Sequence, residues 1–275
     1  MPKGLRLMAV LAHPDDESLG FGGTLAKYSA SGIETFLVTA TRGESGAYRG
    51  RRDASHPGAE ALGAIREGEL RAAAAVLGIR EISWLDYRDG QLDRADPLEA
   101  RHRIVRHLRR VRPQVVITFG PDGAYGHPDH IAICQFTTAA VVAAADGASA
   151  AKPEDDALPP HSVSKLYYLA WPQATWAAYE RAFRKLAARV DGGERQAVPW
   201  PDWALTTTVD AREHWQTVVR AVSCHESQVA GYDRWSQLSA EDHESLWGAQ
   251  SFYRVFSLVN GGRQRETDLF DGIDN

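Results

Sequence analysis

Leu5-Arg6-Leu7-Met8-Ala9-Val10-Leu11-Ala12 runs directly into His13-Pro14-Asp15-Asp16-Glu17. An apolar run of this length, stopped by a proline, predicts a strand buried on both faces, the habit of a parallel sheet. Three side chains able to hold a metal or move a proton (His13, Asp15 and Asp16) then crowd one tight turn at the strand's carboxyl end. In open α/β sheets ligands bind along that edge. His13 and Asp16 are three apart, and a turn between them lets both face one point, with Asp15 free beside them. A lone Asp-Asp pair would read as a helix cap. The histidine, and Gly20, Gly22 and Gly23 just after, argue for more, since glycines let the backbone bend closely around a bound group.

Outward from this stretch the chain alternates strand and helix, the pattern of an α/β fold. Thr24–Ser31 predicts a short helix and Ile33–Ala40 a second, parallel strand. A polar loop from Thr41 to about Gly58 carries Arg42, Glu44 and further arginines, and is long enough to be functional. Arg42 is a candidate to touch substrate. Ile65–Leu77 predicts a helix and Glu81–Leu85 a strand, whose end places Asp86 and Asp89 as candidates for hydroxyl contacts. For Asp89 a plain Asp-Gly turn is the stronger reading. Leu98–Val111 predicts a helix with a solvated arginine stripe, and Gln114–Phe119 a fourth strand.

That strand ends in a second polar turn, Gly120 to His130, which contains His127-Pro128-Asp129-His130 and opens a helix running to about Ala145. Pro128 suits a first helical turn. Residues 146–162 are expected to form a surface loop. Beyond it lie a strand at Val163–Ala170, a helix from Trp176 to about Val190, a strand at Leu205–Val209, a helix at Ala211–Val222 and a last strand at Gln250–Val259. The charged tail from Gly261 is expected to fray. With no repeat and no clear boundary, the 275 residues read as one domain, 1–145 forming its core and 146–275 its substrate side.

Composition narrows the function. A formal net charge of −5 argues against nucleic acid, which needs a basic face. Two cysteines make no disulfide framework and suit a reducing compartment. No apolar run is long enough to span a membrane or serve as a signal peptide, so a cytoplasmic location is expected. There is no Gly-x-Ser-x-Gly turn for a serine hydrolase. Gly20-Phe21-Gly22-Gly23 is not a dinucleotide fingerprint, and the acids before it would repel a pyrophosphate.

If a parallel sheet brings the two polar turns together, His13, Asp16 and His130 make a set of two imidazoles and one carboxylate with positions left open. Catalytic zinc sites have that form, and the same ligands suit iron(II). Such a cation lowers the pKa of bound water, and Asp15 is placed to take its proton. His127 could stabilise an oxyanion or protonate a leaving amine, and Asp129 could fix an imidazole tautomer. Together these roles describe metal-assisted hydrolysis of an acyl bond.

The Ala12–Glu17 turn and the His127–His130 turn resemble the hallmarks of the LmbE-like, or N-acetylglucosaminyl-phosphatidylinositol de-N-acetylase, superfamily. Thr41-Arg42-Gly43-Glu44, the Arg66–Leu70 helix and His225–Gln228 are similar to family features as well. The resemblance implies a Rossmann-like three-layer fold with a mostly parallel sheet and a C-terminal extension. It implies zinc on His13, Asp16 and His130, with Asp15 as base and His127 as acid or oxyanion group, and Tyr125 as a pocket tyrosine. It also implies an N-acetylated amino-sugar conjugate as substrate. Two readings stand beside it: an amidase of the same fold acting on another amide, such as a thiol S-conjugate, and a non-catalytic metal- or sugar-binding protein. The oligomeric state, homo-oligomer included, stays open.

Overall fold

The computed structural model describes residues 4–147, 158–183, 187–190, 192–232, 234, 237–262 and 264–273. In chain order the main elements are β1 (Arg6–Leu11), α1 (Asp16–Leu19), α2 (Gly22–Ala30), β2 (Glu34–Thr39), α3 (Ala59–Leu77), β3 (Glu81–Trp84), α4 (Pro97–Val111), β4 (Val115–Thr118), the short distorted α5 (Gly123–Gly126) and α6 (Pro128–Ala144). The second half contributes β5 (Lys165–Leu169), α7 (Gln173–Phe183), β6 (Ala188–Val190), β7 (Gly193–Arg195), β8 (Thr207–Asp210), α8 (Trp215–Cys224), α9 (Glu226–Val229), α10 (Ala240–Trp247) and β9 (Ala249–Ser257).

Seven strands form one sheet in the order β3-β2-β1-β4-β5-β9-β8, parallel from β3 to β5 and antiparallel at β9 and β8. Helices packed on the sheet leave Leu7 through Ala12 fully buried, which is why that run has no polar alternation. The chain leaves β1 toward β2 on one side and returns to β4 on the other. This reversal opens a crevice at the carboxyl ends of β1 and β4. Met8 pairs with Val116 and Ala9 with Ile117, so the two strands end level and their polar turns emerge side by side. Among the described residues no helix is long and apolar enough to cross a membrane.

The expectations for residues 1–145 hold in element type and order, with α3 starting six residues before the expected Ile65. Four expectations are corrected. Gly22 and Gly23 do not bend around a ligand; they are helical, and a Cβ there would lie 2.9 Å from Val218 and 2.8 Å from the Trp247 carbonyl. They let α2 pack hard against α8 and α10. The helix expected to run to about Val190 is shorter: α7 covers Gln173–Phe183, and Ala188–Val190 is strand β6, paired antiparallel with β7 at Gly193–Arg195. Asp15 is not free, since its carboxylate pairs with Arg66 at 3.1 Å. The described part of the tail does not fray, for Leu269 and Phe270 are buried in the core. Of the expected 146–162 loop, residues 148–157 lie outside the described residues.

The tail is pinned by one buried carboxylate. Glu266 accepts hydrogen bonds from Lys165 Nζ, Arg254 Nη1 and Asn260 Nδ2 on Oε1, and from the Tyr167 and Thr207 hydroxyls on Oε2, all at 2.7–2.8 Å. Burial alone would raise its pKa, but Lys165 and the other donors hold it down to about 2. Removing one partner of a buried ion pair strands the other, at a cost of about 3–5 kcal/mol. Glu266→Ala should lose about that much in urea unfolding. A depressed carboxyl pKa gives stability that is complete above the unfolded value and disappears as pH falls through the folded one. The wild type should therefore lose this contribution between about pH 4.5 and pH 2, and the variant should lack that part of the acid dependence.

Candidate metal centre

At the β1–β4 crevice two imidazole nitrogens and the Asp16 carboxylate converge. His13 Nδ1 lies 3.2 Å from His130 Nε2 and 3.6 Å from Asp16 Oδ2, and His130 Nε2 lies 3.3 Å from Asp16 Oδ1. All three residues are buried. Each is held from behind. The N–H groups of Ala12 and His13 donate to Asp16 Oδ2, at 3.2 and 2.7 Å. His130 Nδ1 lies 3.2 Å from the Gly123 carbonyl, which can only accept, so the ring is protonated there. His13 Nε2 lies 3.0 Å from Asp89 Oδ1 and 3.2 Å from Asp129 Oδ2, so its proton is on Nε2. With both rings neutral, the inner nitrogens, His13 Nδ1 and His130 Nε2, face each other as lone pairs across 3.2 Å; burial lowers the His13 pKa, but Asp129, Asp16 and Asp89 outweigh it and raise it well above the ordinary value, so the gap is one that a proton or a cation fills.

That arrangement fits a cation. Tetrahedral zinc with bonds of roughly 2.0–2.1 Å sets its ligand atoms about 3.3 Å apart, close to the 3.2 Å between His13 Nδ1 and His130 Nε2 and the 3.3 Å between His130 Nε2 and Asp16 Oδ1. The carboxylates behind His13 and the carbonyl behind His130 match the partners that metal-bound histidines carry. His13 with Asp89 and Asp129 also brings three donors together. There, however, Asp129 is already engaged by the Gly90 and Leu92 N–H groups, at 2.8 and 3.1 Å. That trio is the hydrogen-bonded backing of His13. Burial raises the Asp16 carboxyl pKa, but His130 and His13 outweigh it and hold it well below the usual range.

Asp15 sits beside the ligands with φ +104°, a left-handed conformation that is costly for a non-glycine residue. Two buried groups hold it. Arg66 from α3 bonds its carboxylate, the Pro14 carbonyl and the Gly43 carbonyl. Glu17 Oε2 accepts from its backbone N–H at 3.0 Å. Burial pushes the Asp15 carboxyl up to about 6, against the pull of Arg66.

His127 caps α6, its Nδ1 accepting from the Asp129 N–H at 3.2 Å, so its own proton is on Nε2. Burial, with His130 and His13 beside it, lowers its pKa to about 3. The ring is a neutral N–H donor at neutral pH. Tyr125 lies edge-on to His127 and His130, and burial together with the Asp16 and Asp15 charges raises its hydroxyl pKa well above the ordinary value.

A cavity of about 150 Å³ opens between Asp15, Asp16, His130 and Tyr125 on one side and Trp171, Tyr179 and Tyr232 on the other. Its polar wall comes from the first half of the chain and its aromatic wall from the second. The structure brings His13, Asp15, Asp16, His127, Asp129, His130 and Tyr125 together. Arg42 and Asp86 pair with each other at 2.6 Å at the surface, Arg42 lying over Trp84, and Asp86 lines a separate groove along α4. Glu44 Oε1 accepts from the Asp89 N–H at 2.9 Å and so shapes the turn that supports His13. Sequence reasoning gave no role to Arg66 or Glu17, and it favoured a plain turn for Asp89. Their signal was slight: an arginine in an alanine-rich helix, the last residue of an acidic turn, and an Asp-Gly pair.

Residues 8–141 match the PIG-L family, described as GlcNAc-PI de-N-acetylase. Two relatives carry the name 1D-myo-inositol 2-acetamido-2-deoxy-alpha-D-glucopyranoside deacetylase. The Rhodococcus jostii protein is 36% identical, the alignment covering 98% of each chain. The Kineococcus radiotolerans protein is 34% identical over 98% of this chain and 83% of its own. Among solved structures, the 4-carboxy-2-hydroxymuconate hydratase of Pseudomonas putida superposes with a TM-score of 0.69 at 18% identity, covering 94% of this chain and 99% of that one. The same fold thus carries a hydratase, and the reaction has to be argued from the site.

Asp129→Asn removes a carboxylate from behind His13 without touching a donor atom of the centre. It should weaken zinc binding about 10–100-fold in a chelator competition. His13→Ala should abolish stoichiometric binding.

Proposed function

The chain belongs to the PIG-L, GlcNAc-PI de-N-acetylase family, and on that premise we propose that it is a zinc-dependent N-deacetylase of an N-acetylglucosamine conjugate. One observation carries the reading: a preformed His13–Asp16–His130 donor set with Asp15 on the wall of the adjoining cavity and the His127 ring 4.7 Å from that of His130, neither needed as a ligand. A binding protein needs neither residue. A divalent ion held there would supply Lewis acidity to the acetamide carbonyl and make bound water more acidic.

The chain's own groups divide the remaining work. Asp15 takes the proton of the water that adds to the acetamide carbon. Arg66 keeps the Asp15 carboxylate oriented, and a bound cation would draw its pKa down from about 6, favouring the base form at neutral pH. The Nε2–H of His127 and the hydroxyl of Tyr125 are fixed donors for the oxygen that gains charge as water adds. The C–N bond then breaks, the proton passes to the amine, and acetate and a free glucosamine amine leave. The cavity is small against the roughly 300–1,000 Å³ of sites that enclose a whole ligand. It suits the acetamide end of a larger conjugate, with the aglycone outside. The names of the whole-chain relatives favour an inositol aglycone.

The test is acetate release by zinc-loaded protein from free N-acetylglucosamine, its inositol and malate glycosides, and a chitooligosaccharide. Release is expected from at least one glycoside, with the inositol conjugate preferred. Asp15→Asn should lower kcat about 10²–10⁴-fold with zinc content unchanged. His127→Ala should lower kcat about 10²–10³-fold. Wild-type turnover by Asp15→Asn would remove it as the base. Silence across the panel from fully loaded protein would turn the assignment toward an amidase for a different amide.

A further inference from the structure

Glu17 and His225 form a fully buried pair that the hydrolysis above does not use, Glu17 Oε1 lying 2.8 Å from His225 Nε2. Glu17 spends its other oxygen on the backbone N–H of Asp15. Ser18 Oγ also donates to Oε1. His225 lies at the junction of α8 and α9, far from Asp15 in sequence, and that junction is fastened elsewhere. The N–H and hydroxyl of Ser227 donate to Glu69 of α3, at 2.7 and 2.6 Å. The Arg49 N–H donates to the Ser227 carbonyl at 2.6 Å, and Gln228 Nε2 to the Ala47 carbonyl at 3.0 Å. The backbones of Gly50 and Gly231 touch so closely that a Cβ on Gly231 would lie 2.7 Å from Gly50 Cα.

We propose that His225 is a positioning residue for Asp15, holding the base in its left-handed conformation through Glu17. The proposal rests on the general-base reading. A left-handed non-glycine residue persists only where its surroundings over-determine it, at a cost of roughly 1–3 kcal/mol. Arg66 fixes the Asp15 side chain, but its amide has Glu17. Glu17 in turn is oriented by His225, the donor on its far oxygen that comes from outside the turn. Ser18 Oγ, on the neighbouring residue, can rotate with the carboxylate, so without the imidazole Glu17 is free to swing and the Asp15 amide loses its acceptor. The donor atoms of the metal centre are held by other groups: Asp16 by the Ala12 and His13 amides, His13 by Asp89 and Asp129, His130 by Gly123. Loss of His225 is therefore felt at the base and not at the metal. The arrangement also makes the second half of the chain, through one histidine, a condition of the chemistry performed by the first.

His225→Leu and His225→Gln separate positioning from folding, because the glutamine amide N–H can reach the same donor position. In the leucine variant zinc content should stay at the wild-type level and KM within about twofold, while kcat falls about tenfold or more; the glutamine variant should recover most of it. Amide hydrogen exchange supplies a readout that needs no substrate. A peptide covering residues 13–19 should exchange about tenfold faster in His225→Leu than in the wild type or His225→Gln, with peptides from β4 and β9 unchanged. Wild-type kcat and wild-type exchange at 13–19 in the leucine variant would overturn the proposal. So would equal losses in both variants with faster exchange throughout the fold. If the wild type released no acetate, the deacetylase reading would fail, and exchange at 13–19 would still decide the link from His225 to Asp15.

Discussion

The site is governed by two imidazole nitrogens that need a positive charge between them. His13 and His130 each give their outer N–H to a fixed oxygen acceptor, and so turn their inner nitrogens toward one another at 3.2 Å, where the carboxylates around His13 favour a proton or a cation. In a buried pocket such a pair is repulsive and unsatisfied unless a cation or a proton sits between them. Asp16 adds the anionic ligand that makes a divalent ion a better occupant than a proton, which could bond only two of the three donors. The surroundings serve to keep these three atoms where they are: backbone amides on Asp16, two carboxylates behind His13 and a carbonyl behind His130.

Sheet topology makes this possible with donors that lie far apart in sequence. The reversal of strand order at β1 and β4 sets two turns side by side, and the level ends of those strands bring the turns to the same height. Helix α6 opens at the second turn, so His127 and His130 share its first two turns. The second half of the chain then closes the crevice with Trp171, Tyr179 and Tyr232 and reaches under it with His225. Its antiparallel strands β9 and β8, clasped by Glu266, extend the same sheet.

The donors that meet at the candidate centre were legible in the sequence because each lies within a few residues of a strand end, and strand ends follow from apolar runs. Asp15 and His127 were legible for the same reason. What escaped depended on contacts between distant segments. Arg66 sits in an alanine-rich helix whose sequence does not mark which of its charges turns inward, and its guanidinium enters the protein and bonds two backbone carbonyls. Gly22 and Gly23 read as a ligand loop because a glycine cluster after a polar turn looks the same whether it makes room for a ligand or for Val218 and Trp247. The tail after Gly261 reads as frayed from its charge; Glu266 is nonetheless the acceptor for five buried donors, and Leu269 follows it into the core. Arg42 and Asp86 look like substrate contacts one at a time, and in three dimensions they satisfy each other.

The most direct measurement is a back-titration. The protein would be stripped with a chelator, zinc returned in steps, and bound zinc and acetate release from the inositol conjugate followed on the same samples. Stripped protein should be inactive, and activity should rise in proportion to bound zinc, to a plateau at about one ion per chain. Full activity in stripped protein, or tight zinc binding that leaves acetate release at zero, would contradict zinc-dependent deacetylation.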